Sequence, residues 1–149
     1  MAAAERRAEI YWEGRLEQGD GSFALGDWMV GEPPVSWRER IGPEGNNASP
    51  EELMAAAQAS CFSMALSSVL EDMRKTPEEM GVSTSCILDE TDEGFKITAM
   101  NVEVRGQIPG MSPEEFSSAV GRADQICPVT NALRGNVDIR VSSVLEDGV

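Results

Sequence analysis

The first forty residues suit strands, and residues 8–16 carry a period of two. Ala8, Ile10, Trp12, Gly14 and Leu16 fall on one side of an extended chain, with mostly polar neighbours between them, which predicts a half-buried strand. Gly19-Asp20-Gly21 then suits a hairpin turn, and residues 23–30 a second strand. Pro33-Pro34 and Gly42-Pro43 bracket a third short extended piece holding Trp37, Arg38 and Arg40, followed by a turn-rich loop over residues 41–48.

The period changes at Ser49. Ser-Pro-Glu-Glu supplies an N-cap, a proline at the first helical position and a glutamate at the third, a capping box that opens a helix. Residues 50–70 are apolar nearly all round and rich in Ala and Ser, as befits a central helix with close neighbours. The helix fades through residues 71–77. Two strands are expected next, over residues 82–90 and 95–108, turning at Asp92-Glu93-Gly94. In the second, the inward set shifts phase between Ala99 and Met100, which predicts a bulge. A second capping box, Ser112-Pro113-Glu114-Glu115, opens a helix to about Ile126. Pro128 opens a short helix to about Leu133, and residues 136–144 close the chain as a strand. Strands and helices in this order define an α+β fold, and 149 residues without a linker or internal repeat suit a single domain over 1–149.

Charge narrows the partners. A formal charge of −14 argues against nucleic acid and against anionic membrane surfaces. The cations are ten Arg and two Lys, and arginine favours bidentate carboxylate pairing. The N-terminus lacks the apolar core of a signal peptide, and the run 53–70 contains Gln58 and several Ser, so a buried helix is expected there and not a membrane span. Three cysteines do not make a secreted disulfide framework, so a reducing, cytoplasmic location with free thiols is expected.

There is no histidine. That excludes a cysteine–histidine hydrolase, and three Cys without a Cys-x-x-Cys pair make a poor zinc set, so no metal is expected. What remains for the thiols is redox chemistry, with arginine or lysine as the only cations able to hold a thiolate. Cys61, inside the apolar helix, is either a small core residue or such a nucleophile. Cys127 stands just before Pro128, at a helix N-cap where backbone N–H groups lower a thiol pKa, or else it fills an inter-helix turn. Cys86, in a strand without a nearby charge partner in sequence, reads as sheet filling.

Pro50-Glu51-Glu52-Leu53, Ala55-Ala56, Ala59 and Cys61-Phe62-Ser63-Met64-Ala65-Leu66-Ser67, with Cys127-Pro128-Val129 downstream, resemble the family of osmotically inducible protein C and organic hydroperoxide resistance proteins (OsmC/Ohr), nearer the first branch. The resemblance implies antiparallel sheets around a central long helix in an intertwined homodimer. It implies a thiol peroxidase that reduces organic hydroperoxides to alcohols and protects against oxidative stress, without a cofactor. By position Cys61 is the attacking cysteine, Cys127 the resolving one and Glu51 the active-site glutamate. The family arginine lies in the preceding loop, where Arg40 matches with one inserted residue and Arg38 is the reserve. Gln58 and Ser60 depart from the His and Ala common in relatives. An external dithiol, a dihydrolipoyl protein before thioredoxin, would regenerate the thiols. A non-catalytic fold that binds an apolar ligand is the alternative.

Glu51 and Cys61 lie ten residues apart on one expected helix, about 15 Å along its axis. Glu51 would therefore serve a Cys61 site more easily from a second subunit, so a homodimer with shared sites is expected.

Overall fold

The N-terminal alternation folds into a three-stranded antiparallel sheet of β1 (Ala8–Glu13), β2 (Asp20–Leu25) and β3 (Pro34–Val35), in that spatial order. The computed structural model describes residues 2–43 and 47–146. Part of the loop expected over residues 41–48 therefore lies outside the described residues. The hairpin turns at residues 16–18, earlier than expected, so Asp20 and Gly21 already pair with Glu13 and Trp12. The piece around Trp37 is helical rather than extended. Ser36 caps α1 (Trp37–Ile41), its hydroxyl accepting from the Glu39 backbone N–H at 3.2 Å.

The long helix α2 runs Pro50–Asp72, and the Ser49 hydroxyl accepts from the Glu52 N–H at 3.1 Å, as the capping box requires. At its far end the Lys75 N–H reaches the Leu70 carbonyl and the Arg74 N–H the Glu71 carbonyl, with Arg74 at φ 58°. This is a Schellman ending in which arginine occupies the left-handed position that glycine usually fills. By length and composition α2 would be able to cross a membrane, yet Gln58, Phe62, Ala65, Leu66, Val69 and Leu70 form a continuous buried face. The opposite side, with Ala56, Ala57, Ser60, Met64 and Ser68, is open, and Met64 is 72% exposed. A helix that is apolar nearly all round is thus covered on one side by its own chain.

Strands β4 (Glu79–Thr91) and β5 (Gly94–Gln107) form a long antiparallel hairpin. Its register shifts between Ile87 and Leu88, which pair with Ala99 and Ile97, so Thr98 is the extra residue. The bulge stands one position before the expected phase change, and it lets Ala99, Met100, Val102 and Val104 all be buried. The chain continues through α3 (Pro113–Ile126), capped by Ser112, and α4 (Pro128–Leu133) to β6 (Asp138–Leu145). β6 pairs with β5 in parallel, in the order β4-β5-β6. The second sheet is therefore mixed, which corrects the all-antiparallel expectation. Two helices between β5 and β6 provide the crossover a parallel pair needs.

Contacts within the chain define two compact units, Met1–Leu53 and Met54–Val149. In the second, the buried face of α2 shares a core with Met100, Val102 and Val104 of β5 and with Phe116, Ala119, Val120 and Ala123 of α3. Gly106 is buried under Phe116, where an added Cβ would stand 2.9 Å from the ring.

Candidate active site

Two features set the position of the thiols. Cys61 sits on α2 beside Phe62, which the core buries completely, and is itself half-buried. Cys127 is the hinge between α3 and α4. Its N–H closes α3 on the Ala123 carbonyl and its carbonyl accepts the first bond of α4, from Asn131. Pro128, which needs no N–H partner, then starts α4. The result brings residues 66 positions apart together: the buried Cys127 thiol donates to Cys61 Sγ at 3.3 Å. Both cysteines are reduced.

Burial pushes the Cys61 thiol above its ordinary pKa, the Val129 backbone N–H at the start of α4 pulls it down, and the neighbouring Cys127 thiol adds to the rise. The balance is upward. The neutral thiol is therefore favoured.

One turn before Cys61, the fully buried Gln58 donates from Nε2 to Thr130 Oγ1 at 2.6 Å, linking α2 to α4. No local pattern points to this partner, because 72 residues separate the two. Cys86 lies on β4 opposite Met100 and packs, half-buried, against the core.

The arginine and glutamate meet in the first unit. Arg40 grips Glu51 in a forked pair, with Nε at 3.0 and 3.2 Å from the two carboxylate oxygens and Nη2 at 2.7 Å from Oε1. Glu51 is buried, and the Arg40 guanidinium stands 5.9 Å from the centre of the Trp37 ring. Helix α1 aims this arginine. Arg38, two positions earlier, goes elsewhere, to Asp20 at 2.9 Å and the Glu17 carbonyl at 2.6 Å, in the open. Of the two candidates, Arg40 is the one paired to Glu51. Among the described residues no cluster of His, Cys, Asp or Glu is arranged to hold a metal ion.

The structure is an α+β fold with two sheets, a long helix and a thiol pair at hydrogen-bond distance, an arrangement able to carry thiol–disulfide chemistry. The OsmC-like protein family matches residues 43–142, and the chain belongs to the OsmC/Ohr family. It is 31% identical to the peroxiredoxin OsmC of Escherichia coli over 135 residues, 90% of this chain and 93% of that one. It is 38% identical over 106 residues to the organic hydroperoxide resistance protein of Xanthomonas axonopodis pv. citri, 70% of this chain and 72% of that one. The crystal structure of an organic hydroperoxide resistance protein OsmC from Legionella pneumophila superposes with a TM-score of 0.74 at 27% identity, covering 96% of this chain and 98% of the other. The fold is OsmC-like, and these relatives support a peroxide-related redox function.

Proposed function

We propose that this protein reduces organic hydroperoxides to alcohols with Cys61 as the attacking and Cys127 as the resolving cysteine. The observation that carries the reading is the 3.3 Å approach of the two sulfurs. A disulfide bond is about 2.05 Å long, so little more than about 1 Å of travel separates the reduced pair from a disulfide. The Cys61 thiolate attacks one peroxide oxygen and the O–O bond breaks. The alcohol leaves with a proton, and Cys61 becomes a sulfenic acid. Cys127 attacks the Cys61 sulfur, the S–O bond breaks, and water leaves. An external dithiol, a lipoyl protein in our reading, reduces the disulfide by exchange, which suits a cytoplasmic setting.

We assign Arg40 as the cation that holds the Cys61 thiolate and Glu51 as its orienting carboxylate, both supplied by a second copy of the chain. Three observations support this. The Cys61 thiol is biased toward its neutral form, so a positive charge is needed. Glu51 and Cys61 stand ten residues apart on α2, about 15 Å of helix. The open face of α2 around Met64 and the exposed Ile10 and Tyr11 of β1 leave apolar surface for a partner copy to cover.

The test is mass spectrometry after one equivalent of cumene hydroperoxide. The expected result is loss of two hydrogens mapped to Cys61–Cys127, with cumyl alcohol formed in equal amount. Cys61→Ser should form no alcohol, and Cys127→Ser should stop at sulfenic acid. An unchanged mass in the native protein would instead favour a binding protein.

A further inference from the structure

The amide of Gln58 is poorly placed for stability. The residue is wholly buried, its Nε2 has one partner, Thr130, and its Oε1 has no hydrogen-bond partner among the described residues. A buried amide with one end unmatched loses more than a single bond returns, and an apolar side chain of similar length would fill the same volume without that loss. The contact makes sense as a device for position. Gln58 lies one turn before Cys61 on α2. Thr130 lies three residues after Cys127 and next to Val129, whose N–H faces the Cys61 sulfur. The Gln58–Thr130 bond therefore joins the same two elements that carry the two sulfurs. It acts on a helix of only six residues, whose N-cap Cys127 makes no side-chain capping bond.

We propose that Gln58 and Thr130 are positioning residues for disulfide closure: their hydrogen bond fixes α4 against α2 so that Cys127 faces the Cys61 sulfur. The inference rests on the two-cysteine reading for its role in turnover, but the alignment of the thiols is testable without peroxide. Without the bond α4 turns or recedes, and the Cys61 sulfenic acid outlives its normal partner. A second peroxide then competes to drive it to sulfinic acid. A hydrogen bond suits this task because it is directional, whereas apolar packing of Met or Val against the same neighbours tolerates small rotations.

The experiment uses Gln58→Met, Thr130→Val and Thr130→Ser in the full chain. Equilibration with reduced and oxidised glutathione gives the effective concentration of the Cys61–Cys127 pair directly. We expect Gln58→Met and Thr130→Val each to lower it about tenfold or more, which is about 30 mV in reduction potential. The double variant should lose no more than either alone, since both remove one bond. Thr130→Ser, which keeps the hydroxyl, should match the native protein. Thermal unfolding should show Gln58→Met as stable as the native protein or more so, which separates position from folding. After one equivalent of cumene hydroperoxide, dimedone should trap more Cys61 sulfenic acid in Gln58→Met and Thr130→Val. Native-like effective concentrations in both would overturn the proposal, as would a loss in Thr130→Ser equal to that in Thr130→Val. If the peroxidase reading alone is wrong, the native protein forms no alcohol while the glutathione equilibria still separate the variants.

Discussion

At the residue scale, the proposed chemistry joins a guanidinium and a thiol. Cys61 begins with its pKa pushed up by burial, against one helpful N–H from Val129. A thiol attacks peroxide only as thiolate, so below its pKa the rate rises about tenfold per pH unit and levels off once the thiolate dominates. A cation lowers the pH at which that plateau begins. Arg40→Ala should move the plateau to higher pH and slow oxidation at pH 7 by about tenfold or more. It also leaves the buried Glu51 carboxylate without its forked partner, so Arg40→Ala/Glu51→Gln is the matched variant that avoids a stranded charge. Arg38→Ala, whose guanidinium is turned to Asp20, should change the profile little. Stopped-flow oxidation across pH checks both. The preference for Arg40 over Arg38 comes from the family resemblance, because spacing alone does not say which arginine a short helix will aim. The signal for that helix was present: Ser36-Trp37-Arg38-Glu39 is itself a capping box. Five residues are too few to display a helical period against the extended bias of Pro33-Pro34.

At the scale of elements, the second sheet and α3 meet with no slack. Gly106 of β5 lies under the ring of Phe116, and a methyl there would sit 2.9 Å from two ring carbons and 3.2 Å from Ile108. Gly106→Ala should therefore destabilise the fold by about 1–3 kcal/mol through overpacking. A lower denaturant midpoint at unchanged slope would confirm it; native stability would mean that the ring moves aside. Long elements with caps were legible: α2 and α3 begin where Ser49 and Ser112 place them, and Thr98 bulges beside the phase change read at Ala99-Met100. Two features were less so. The parallel pairing of β6 depends on the crossover through α3 and α4, a topological fact that no local pattern carries. The Schellman ending at Arg74 replaces the usual glycine with a residue that gives no stop signal.

At the scale of the whole molecule, the apolar pattern exceeds what one chain covers. The alternation in β1 predicts a half-buried strand, yet all six of its residues are exposed, and α2 keeps an open side. Alternation reports that a face expects cover, not which chain provides it. If that cover is a second copy, and if Glu51 of each chain serves Cys61 of the other, inactive variants should repair one another. Glu51→Ala and Cys61→Ser are the pair to mix. In a shared-site heterodimer, one site takes its cysteine and its glutamate from undamaged positions, and the other carries both defects. Random reassortment makes half of the dimers mixed, so about a quarter of native peroxidase activity should return from subunit counting alone. In sites built within one chain, every site keeps one defect and none returns. Refolding the two together, with native mass spectrometry to count heterodimers and an alkyl hydroperoxide assay to read activity, decides between them. Confirmed heterodimers that stay as weak as their parents would remove the cross-subunit role of Glu51, while the Cys61–Cys127 chemistry would stand on its own distance.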